Sequence, residues 1–143
     1  MSGVTFFLPM VPPTVTHQEH EFRVVKGRVQ VYEPERLKDA RQKFMAALLV
    51  QLKRVNGADY VFPLGGPVRL MTKWVWPCGM EHHHGEWKVT KPDTDNLIKL
   101  FKDCMTRVGF WMDDAQVVSE VTEKFWGDTA GIWVYVEPLE AQA

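Results

Sequence analysis

A regular alternation of residue type over residues 67–77 is the strongest constraint that this sequence places on the fold. Successive side chains of an extended chain point to opposite faces, and one face here carries Val68, Leu70, Thr72, Trp74 and Trp76. The other face includes the basic Arg69 and Lys73. This pattern predicts a strand with its apolar face against a core, so other elements of the chain have to cover that face.

Two segments with the spacing of amphipathic helices flank this strand. The first spans residues 34–55, begins with a proline that suits a first helical turn, and has the apolar face Leu37, Ala40, Phe44, Leu48 and Leu52. The second spans residues 93–108 and has the apolar stripe Leu97, Leu100, Phe101, Cys104 and Met105. We expect Gly109 to cap the end of the second helix, because glycine readily adopts the left-handed conformation found there.

Four further segments favour extended structure. They are residues 4–8, residues 22–31 with a turn at Lys26-Gly27, residues 116–126 and residues 131–137. The order β, β, α, β, α, β, β predicts an α/β (α+β) fold in which a mixed sheet packs against two main helices. The 143 residues, 45% of them hydrophobic, are enough for one domain over residues 1–143 and too few for two.

Composition and charge restrict the environment and the partners. No apolar run approaches the roughly 20 residues that span a bilayer, and the N-terminus has no signal-peptide pattern, so we expect a cytoplasmic protein with no membrane partner. The formal net charge is −1, but residues 1–107 hold 16 basic and 11 acidic residues, whereas residues 108–143 hold 1 and 7. This uneven distribution leaves room for a basic surface beside an acidic site.

The acidic residues with the clearest chemical pattern are Asp93, Asp95 and Asp114. The first two stand at the predicted start of a helix, and Asp114 stands in a turn before a strand that this helix could contact. Three converging carboxylates repel one another unless a cation neutralises them, and oxygen ligands suit the hard ions Mg²⁺ and Mn²⁺. Lys99 shares a helical face with Asp95 and could neutralise charge on a phosphate, which points to phosphodiester hydrolysis.

Each of these residues also has an ordinary structural interpretation. An aspartate at a helix start is a common cap, and Asp95 with Lys99 is a common ion pair on a helix surface. Asp113-Asp114 is typical of a turn. Taken singly, each residue is more often structural than catalytic, so the interpretation depends on the three carboxylates converging.

The combination of two short motifs resembles the RusA-type Holliday-junction resolvases. These motifs are Asp-Thr-Asp-Asn-Leu at residues 93–97 and Gly-Phe-Trp-Met-Asp-Asp at residues 109–114, accompanied by Lys99, Lys124 and an early Pro12-Pro13. The similarity is close over residues 93–124. It implies a RusA-like domain that acts as a homodimer on four-way DNA junctions and makes paired, symmetric nicks with Mg²⁺, for which Mn²⁺ can substitute.

The resemblance also implies roles for individual residues. Asp93, Asp95 and Asp114 match the metal-binding acids of the family, and Lys99 matches its catalytic lysine. Asp113 is expected to support the site or to be structural, and Asn96 to orient a ligand or cap the helix. The basic residues that could contact DNA, among them Lys124 at a basic position of the family, are Lys26, Arg28, Lys73, Lys88, Lys91 and Lys124.

Two alternatives stay open at this point, and one segment is ambiguous. The chain could be a catalytically idle junction-binding protein, or a nuclease that prefers flaps or forks in phage DNA processing. The loop over residues 77–92 holds Cys78, three histidines and Trp87. Its residue types suit zinc, but its spacing is unusual, so we expect a solvated loop in which Trp87 is exposed.

Overall fold

A computed structural model describes residues 3–14, 21–25, 27–32 and 34–140. In chain order the elements are β1 (Val4–Pro9), β2 (Glu21–Val25), β3 (Arg28–Tyr32), α1 (Glu35–Val55), β4 (Val68–Pro77), α2 (Thr94–Val108), a 3₁₀ turn (Asp114–Gln116), β5 (Val117–Gly127) and β6 (Gly131–Pro138). Every predicted element is present. The predicted α+β fold is therefore confirmed.

Strands β1, β6, β4 and β5 form one mixed sheet in that order, and β2 pairs with β3 in a separate hairpin. The β1–β6 and β6–β4 pairs are antiparallel, whereas β4 and β5 are parallel. Parallel neighbours need a crossover connection, and α2 makes it between β4 and β5. The start of α2 therefore lies toward the end at which β4 finishes, and its last turn lies toward the beginning of β5.

The core lies between one face of this sheet and the two helices. All five residues of the predicted inward face of β4 are buried, as are the five predicted apolar residues of α2. The rings of Phe44 from α1, Trp74 from β4 and Phe101 from α2 meet edge to face, with centroids 5.1–5.8 Å apart. These aromatic contacts join three elements at one point and fix the position of α2 against the sheet.

The ends of the two helices differ slightly from expectation. Gly109 caps α2 in the left-handed conformation with φ of 107°, as predicted, and its N–H donates to the carbonyl of Met105. Near the end of α1, the predicted inward residue Leu52 is half-buried, and its neighbour Gln51 is buried instead. The Gln51 side-chain carbonyl accepts a hydrogen bond from Arg54 at 3.2 Å, which satisfies part of the buried amide.

Neither helix covers the opposite face of the sheet. Trp133 is 49% exposed there, and its ring packs on that of Phe7 with centroids 4.7 Å apart. Trp87 is also exposed, as predicted, and stacks on Phe125 at 4.5 Å. Neither α1 nor α2 is long and apolar enough to cross a membrane.

The loop before α2 pairs with the outer edge of β5. The Gly85 N–H donates to the Trp126 carbonyl, and the Trp126 N–H donates to the Glu86 carbonyl, each at 2.8 Å. The Lys88 N–H donates to the Lys124 carbonyl at 3.0 Å. Residues 85–88 therefore run along the last part of β5 like a short additional strand.

Candidate active site

The first turn of α2 presents two free carboxylates. Asp93 is the N-cap residue with an extended backbone, yet its side chain makes no capping hydrogen bond. Asp95 lies two residues further on, and both side chains are exposed. Within the described residues neither aspartate forms an ion pair. The ordinary capping role of Asp93 is therefore not realised, and both carboxylates are accessible to a ligand.

Lys99 extends this group by one helical turn. It is exposed and lies four residues after Asp95, on the same side of α2. The described part of the chain contains no ion pair between the two, so the ammonium is not occupied by its helical neighbour. Asn96, also in the first turn, is half-buried. The start of α2 thus offers two anionic groups and one cationic group to solvent on adjacent turns.

Lys124 lies behind this turn, on the neighbouring strand β5. Its ammonium donates hydrogen bonds of 2.6 Å to the carbonyls of both Thr90 and Pro92. Burial lowers the pKa of Lys124, and the nearby charge of Asp93 partly offsets this effect. In this arrangement the Lys124 ammonium is engaged by the backbone that leads into α2.

Lys88 is buried, although the sequence suggested a surface cation. The residue is 7% exposed, and its ammonium lies 4.3 Å from the ring centroid of Trp126 and 5.1 Å from that of Trp76. It also donates to the Thr90 hydroxyl at 2.6 Å. The expectation that Lys88 contacts DNA needs an exposed ammonium, and the two indole rings remove that exposure.

Asp114 lies at the other end of α2. Its carboxylate accepts a hydrogen bond from the Thr106 hydroxyl, in the last turn of the helix. At a rise of roughly 1.5 Å per residue, Thr106 is about 16 Å along the helix from Asp95. Among the described residues no group of three His, Cys, Asp or Glu side chains is placed to hold a metal ion.

The expected convergence of three carboxylates is therefore not met within one chain. The physical reason is the direction of the crossover. Asp114 immediately precedes β5, and β5 begins where α2 ends, so helix-to-strand packing carries Asp114 away from the start of α2. The sequence pattern predicts that α2 packs against this strand, but it does not encode which end of the helix lies beside Asp114.

Asp113, next to Asp114, has a capping role. Its carboxylate accepts the Ala115 N–H at 2.9 Å, while the side-chain carbonyl of Gln116 accepts the Asp113 N–H at 3.1 Å. The Gln116 amide also donates to the carbonyls of Leu64 and Gly66 at 2.8 and 3.0 Å. Gln116 was missed, although its spacing from Asp113 is that of a capping box.

The other candidate DNA contacts lie on different elements of the chain. Arg28 is exposed at the start of β3, and Lys91 is exposed in the loop just before α2. Lys73 is exposed on the open face of the sheet, opposite to the face that carries Lys124. Lys26 lies outside the described residues.

The histidine-rich loop is held by contacts other than a metal. His82 bonds to the Glu86 carboxylate at 2.8 Å, and its ring stacks on Trp126 at 3.8 Å. The His83 N–H and His82 lower the pKa of Glu86. At the loop's other side, His84 accepts the Asp128 N–H at 2.9 Å. These bonds order the loop beside β5 and supply no metal-binding group of three within residues 34–140.

Comparison with known proteins defines the class of protein. The family model described as Endodeoxyribonuclease RusA matches residues 10–137, and the chain therefore belongs to the RusA family. One relative is the crossover junction endodeoxyribonuclease rusA of Lactococcus phage r1t. It is 30% identical over 103 residues, which are 72% of this chain and 73% of the relative. The resemblance drawn from residues 93–124 is thereby confirmed.

Proposed function

We propose that this protein is a Mg²⁺-dependent endodeoxyribonuclease that resolves four-way DNA junctions as a homodimer in DNA recombination and repair. The observation that carries this proposal is the group at the start of α2, in a chain of the RusA family. Asp93 and Asp95 are exposed and form no ion pair with any described residue, and Lys99 follows on the same side of the helix. Carboxylates free of structural partners are available for catalysis.

The donor set suits a hard divalent ion. Asp93 and Asp95 offer only oxygen ligands, which favour Mg²⁺ or Mn²⁺ over zinc. When bound, such an ion supplies charge neutralisation and Lewis-acid activation for phosphodiester hydrolysis. Lys99 is close enough along the helix to stabilise the negative charge that develops on the phosphate or on the leaving oxygen.

A homodimer can supply the third carboxylate. The Asp114 carboxylate is bonded to Thr106, which lies about 16 Å along the helix from Asp95, so Asp114 is too far away to share an ion with the start of the same helix. In a two-fold dimer whose α2 helices run antiparallel, Asp114 of the partner subunit would approach Asp93 and Asp95. We therefore propose two equivalent sites, each completed across the two-fold axis. Such a pair suits symmetric nicking of a four-way junction.

A mixed dimer tests this arrangement. Asp95→Asn and Asp114→Asn chains carrying different affinity tags are co-expressed, and dimers that carry both tags are isolated. If the sites are shared, one site contains both substitutions and the other contains neither. Each parent homodimer should then be inactive, and the mixed dimer should nick one strand of a junction in Mg²⁺.

An inactive mixed dimer would overturn the shared site. If all three carboxylates act within one chain, both sites of the mixed dimer carry a substitution, and no nicking returns. If either parent homodimer cleaves as well as the wild type, the substituted aspartate has no role in cleavage. A mixed dimer of wild-type and Asp95→Asn chains, prepared identically, shows the activity expected from one intact site.

The substrate class is tested by comparing four branched and unbranched DNAs at equal concentration. A four-way junction, a replication fork, a flap and a linear duplex of the same total length are incubated with the protein and Mg²⁺. Paired symmetric nicks on the four-way junction alone support the proposal. Preferential cleavage of the flap or fork favours the other nuclease activity, and binding without cleavage of any DNA identifies an idle junction-binding protein.

A further inference from the structure

Two lysines occupy an unusual position directly behind the start of α2. Lys88 is buried between the rings of Trp76 and Trp126, and it bonds to the hydroxyl of Thr90. Within the described residues it has no carboxylate partner. The rings stabilise the ammonium through cation–π attraction, which is strongest where water is excluded. A buried lysine without an ion pair is costly, so its contacts with the two indole rings and with Thr90 have to stabilise it.

Lys124 adds a second ammonium beside the first. Its N–H groups donate to the carbonyls of Thr90 and Pro92, both at 2.6 Å, while its own carbonyl accepts the Lys88 N–H at 3.0 Å. Residues 88–92 are therefore fastened to β5 from both directions. The β5 residue Trp126 continues this attachment, because it contacts the Lys88 ammonium.

This attachment acts directly on Asp93. The Pro92 carbonyl belongs to the peptide group that carries the Asp93 nitrogen, so fixing this carbonyl fixes the backbone on which the Asp93 carboxylate stands. The Asp93 carbonyl then accepts the Leu97 N–H at 3.0 Å, which is the first hydrogen bond of α2. Hydrogen bonds to a charged donor are stronger than neutral ones, so Lys124 is an effective anchor.

We infer that Lys124 is a positioning residue for the candidate active site. It holds the carbonyls of Thr90 and Pro92 and thereby sets the direction of the Asp93 carboxylate, while Lys88 supports the same segment from between two indole rings. This inference rests on the proposed function for its catalytic meaning. It differs from the expectation that Lys88 and Lys124 bind DNA phosphates, because both ammonium groups are already engaged by the protein.

The test separates positioning from phosphate binding. Lys124→Met keeps an apolar stem of similar length and removes the donors, and Lys53→Met removes one exposed charge from α1 as a matched control. For Lys124→Met we expect kcat on a saturating junction to fall about tenfold or more, while the junction Kd changes less than about twofold. Calorimetric titration with Mn²⁺ should show weaker binding. A raised Kd with unchanged kcat identifies a phosphate contact and overturns the inference.

A measurement without metal or DNA keeps the two proposals distinguishable. Amide hydrogen exchange at Leu97 reports the bond to Asp93, and we expect it to accelerate about tenfold in Lys124→Met and to stay unchanged in Lys53→Met. If wild-type protein fails to cleave any junction but Leu97 exchange accelerates, the proposed function fails and the positioning role stands. Unchanged exchange overturns the positioning role even if cleavage is confirmed.

A second pair of variants covers the case in which Lys124→Met does not fold. Lys88→Met retains the apolar contact with the two indoles and leaves both Lys124 bonds in place, so a smaller loss of kcat is expected. Lys124→Arg keeps a charged donor near the Pro92 carbonyl, so it should have a higher kcat than Lys124→Met. Wild-type kcat and exchange in Lys88→Met, together with a Lys124→Arg that loses all activity, contradict the inference.

Discussion

The Thr106 hydroxyl donates a hydrogen bond to the Asp114 carboxylate and accepts one from the Trp111 indole at 2.7 Å. One side chain of the last helical turn thus holds both a buried tryptophan and the acid that precedes β5. This relationship fixes Asp114 to the end of α2 and separates it from Asp95. Under the proposed function, a site with all three carboxylates would therefore be completed by a second copy of the chain.

Removing the Thr106 hydroxyl should destabilise the protein. In Thr106→Val the Trp111 indole N–H, in a side chain that is 1% exposed, loses its acceptor. We expect the free energy of unfolding to fall by about 1–3 kcal/mol, as for other buried groups left unsatisfied. Urea denaturation measures this, with Thr106→Ser as the control that keeps the hydroxyl. Equal midpoints for Thr106→Val and wild type would contradict the prediction.

Chelation should separate cleavage from binding. With excess EDTA we expect junction cleavage to stop, because Asp93 and Asp95 can no longer be neutralised by a divalent ion. Mobility-shift assays should still detect the junction complex, and Mg²⁺ or Mn²⁺ should restore cleavage. Cleavage that continues at wild-type rate in EDTA would falsify metal dependence.

Salt should weaken DNA binding steeply. Contacts between basic side chains and phosphates release counterions, so the logarithm of the association constant should fall linearly with the logarithm of salt concentration. The measurement uses Asp95→Asn without divalent ions, so that the junction stays intact. Replacing one exposed candidate, by Lys91→Met, should reduce the slope by about one. A flat dependence argues against a nucleic-acid partner.

The buried lysine should make stability depend on alkaline pH. Burial, and then the nearby Lys124 charge, lower the pKa of Lys88 in the folded state. Between this lowered value and the unfolded value of about 10.4, the unfolded chain binds more protons, so the unfolding free energy rises with pH through that window. Comparing wild type with Lys88→Met in urea at neutral and at alkaline pH isolates this term. An identical pH dependence of the unfolding free energy in both proteins would contradict the prediction.

A methyl group at Gly131 should strain the contact between β1 and β6. A Cβ there would lie 2.1 Å from the Phe7 ring and 2.6 Å from the Leu8 carbonyl oxygen. Overpacking of this kind costs about 1–3 kcal/mol, so Gly131→Ala should lower the thermal midpoint. Gly65→Ala is the matched control, because nothing lies within 4 Å of a Cβ at that position. Equal thermal midpoints for the two variants would show that the strands yield without cost.

Local periodicity was enough to predict the elements and most of the core. Helix α2 and strand β4 were expected within one residue of their observed bounds, because a 3–4 spacing and an alternation are each contained in a short window. The role of Gly109 followed from its position after the last apolar residue of the helix. The sequence predicts a supporting or structural role for Asp113 in a turn, but not the capping box that it forms with Gln116.

Local sequence patterns do not predict contacts between residues that are distant in the chain. The separation of Asp114 from Asp95 depends on the direction in which α2 crosses between two parallel strands, and no local pattern encodes it. The burial of Lys88 depends on Trp76 and Trp126 standing side by side on paired strands, which requires the register of β4 on β5. Without that register, the sequence of a polar loop does not predict that its lysine is buried.

The pairing of residues 85–88 with β5 has a consequence for solubility. β5 is the last strand of its sheet, and an uncovered strand edge offers backbone donors and acceptors to any other chain in an extended conformation. The loop occupies these groups along residues 124–126 of β5. A shortened loop would expose this backbone and promote edge-to-edge aggregation. The loop therefore protects the edge of β5 and also connects β4 to α2.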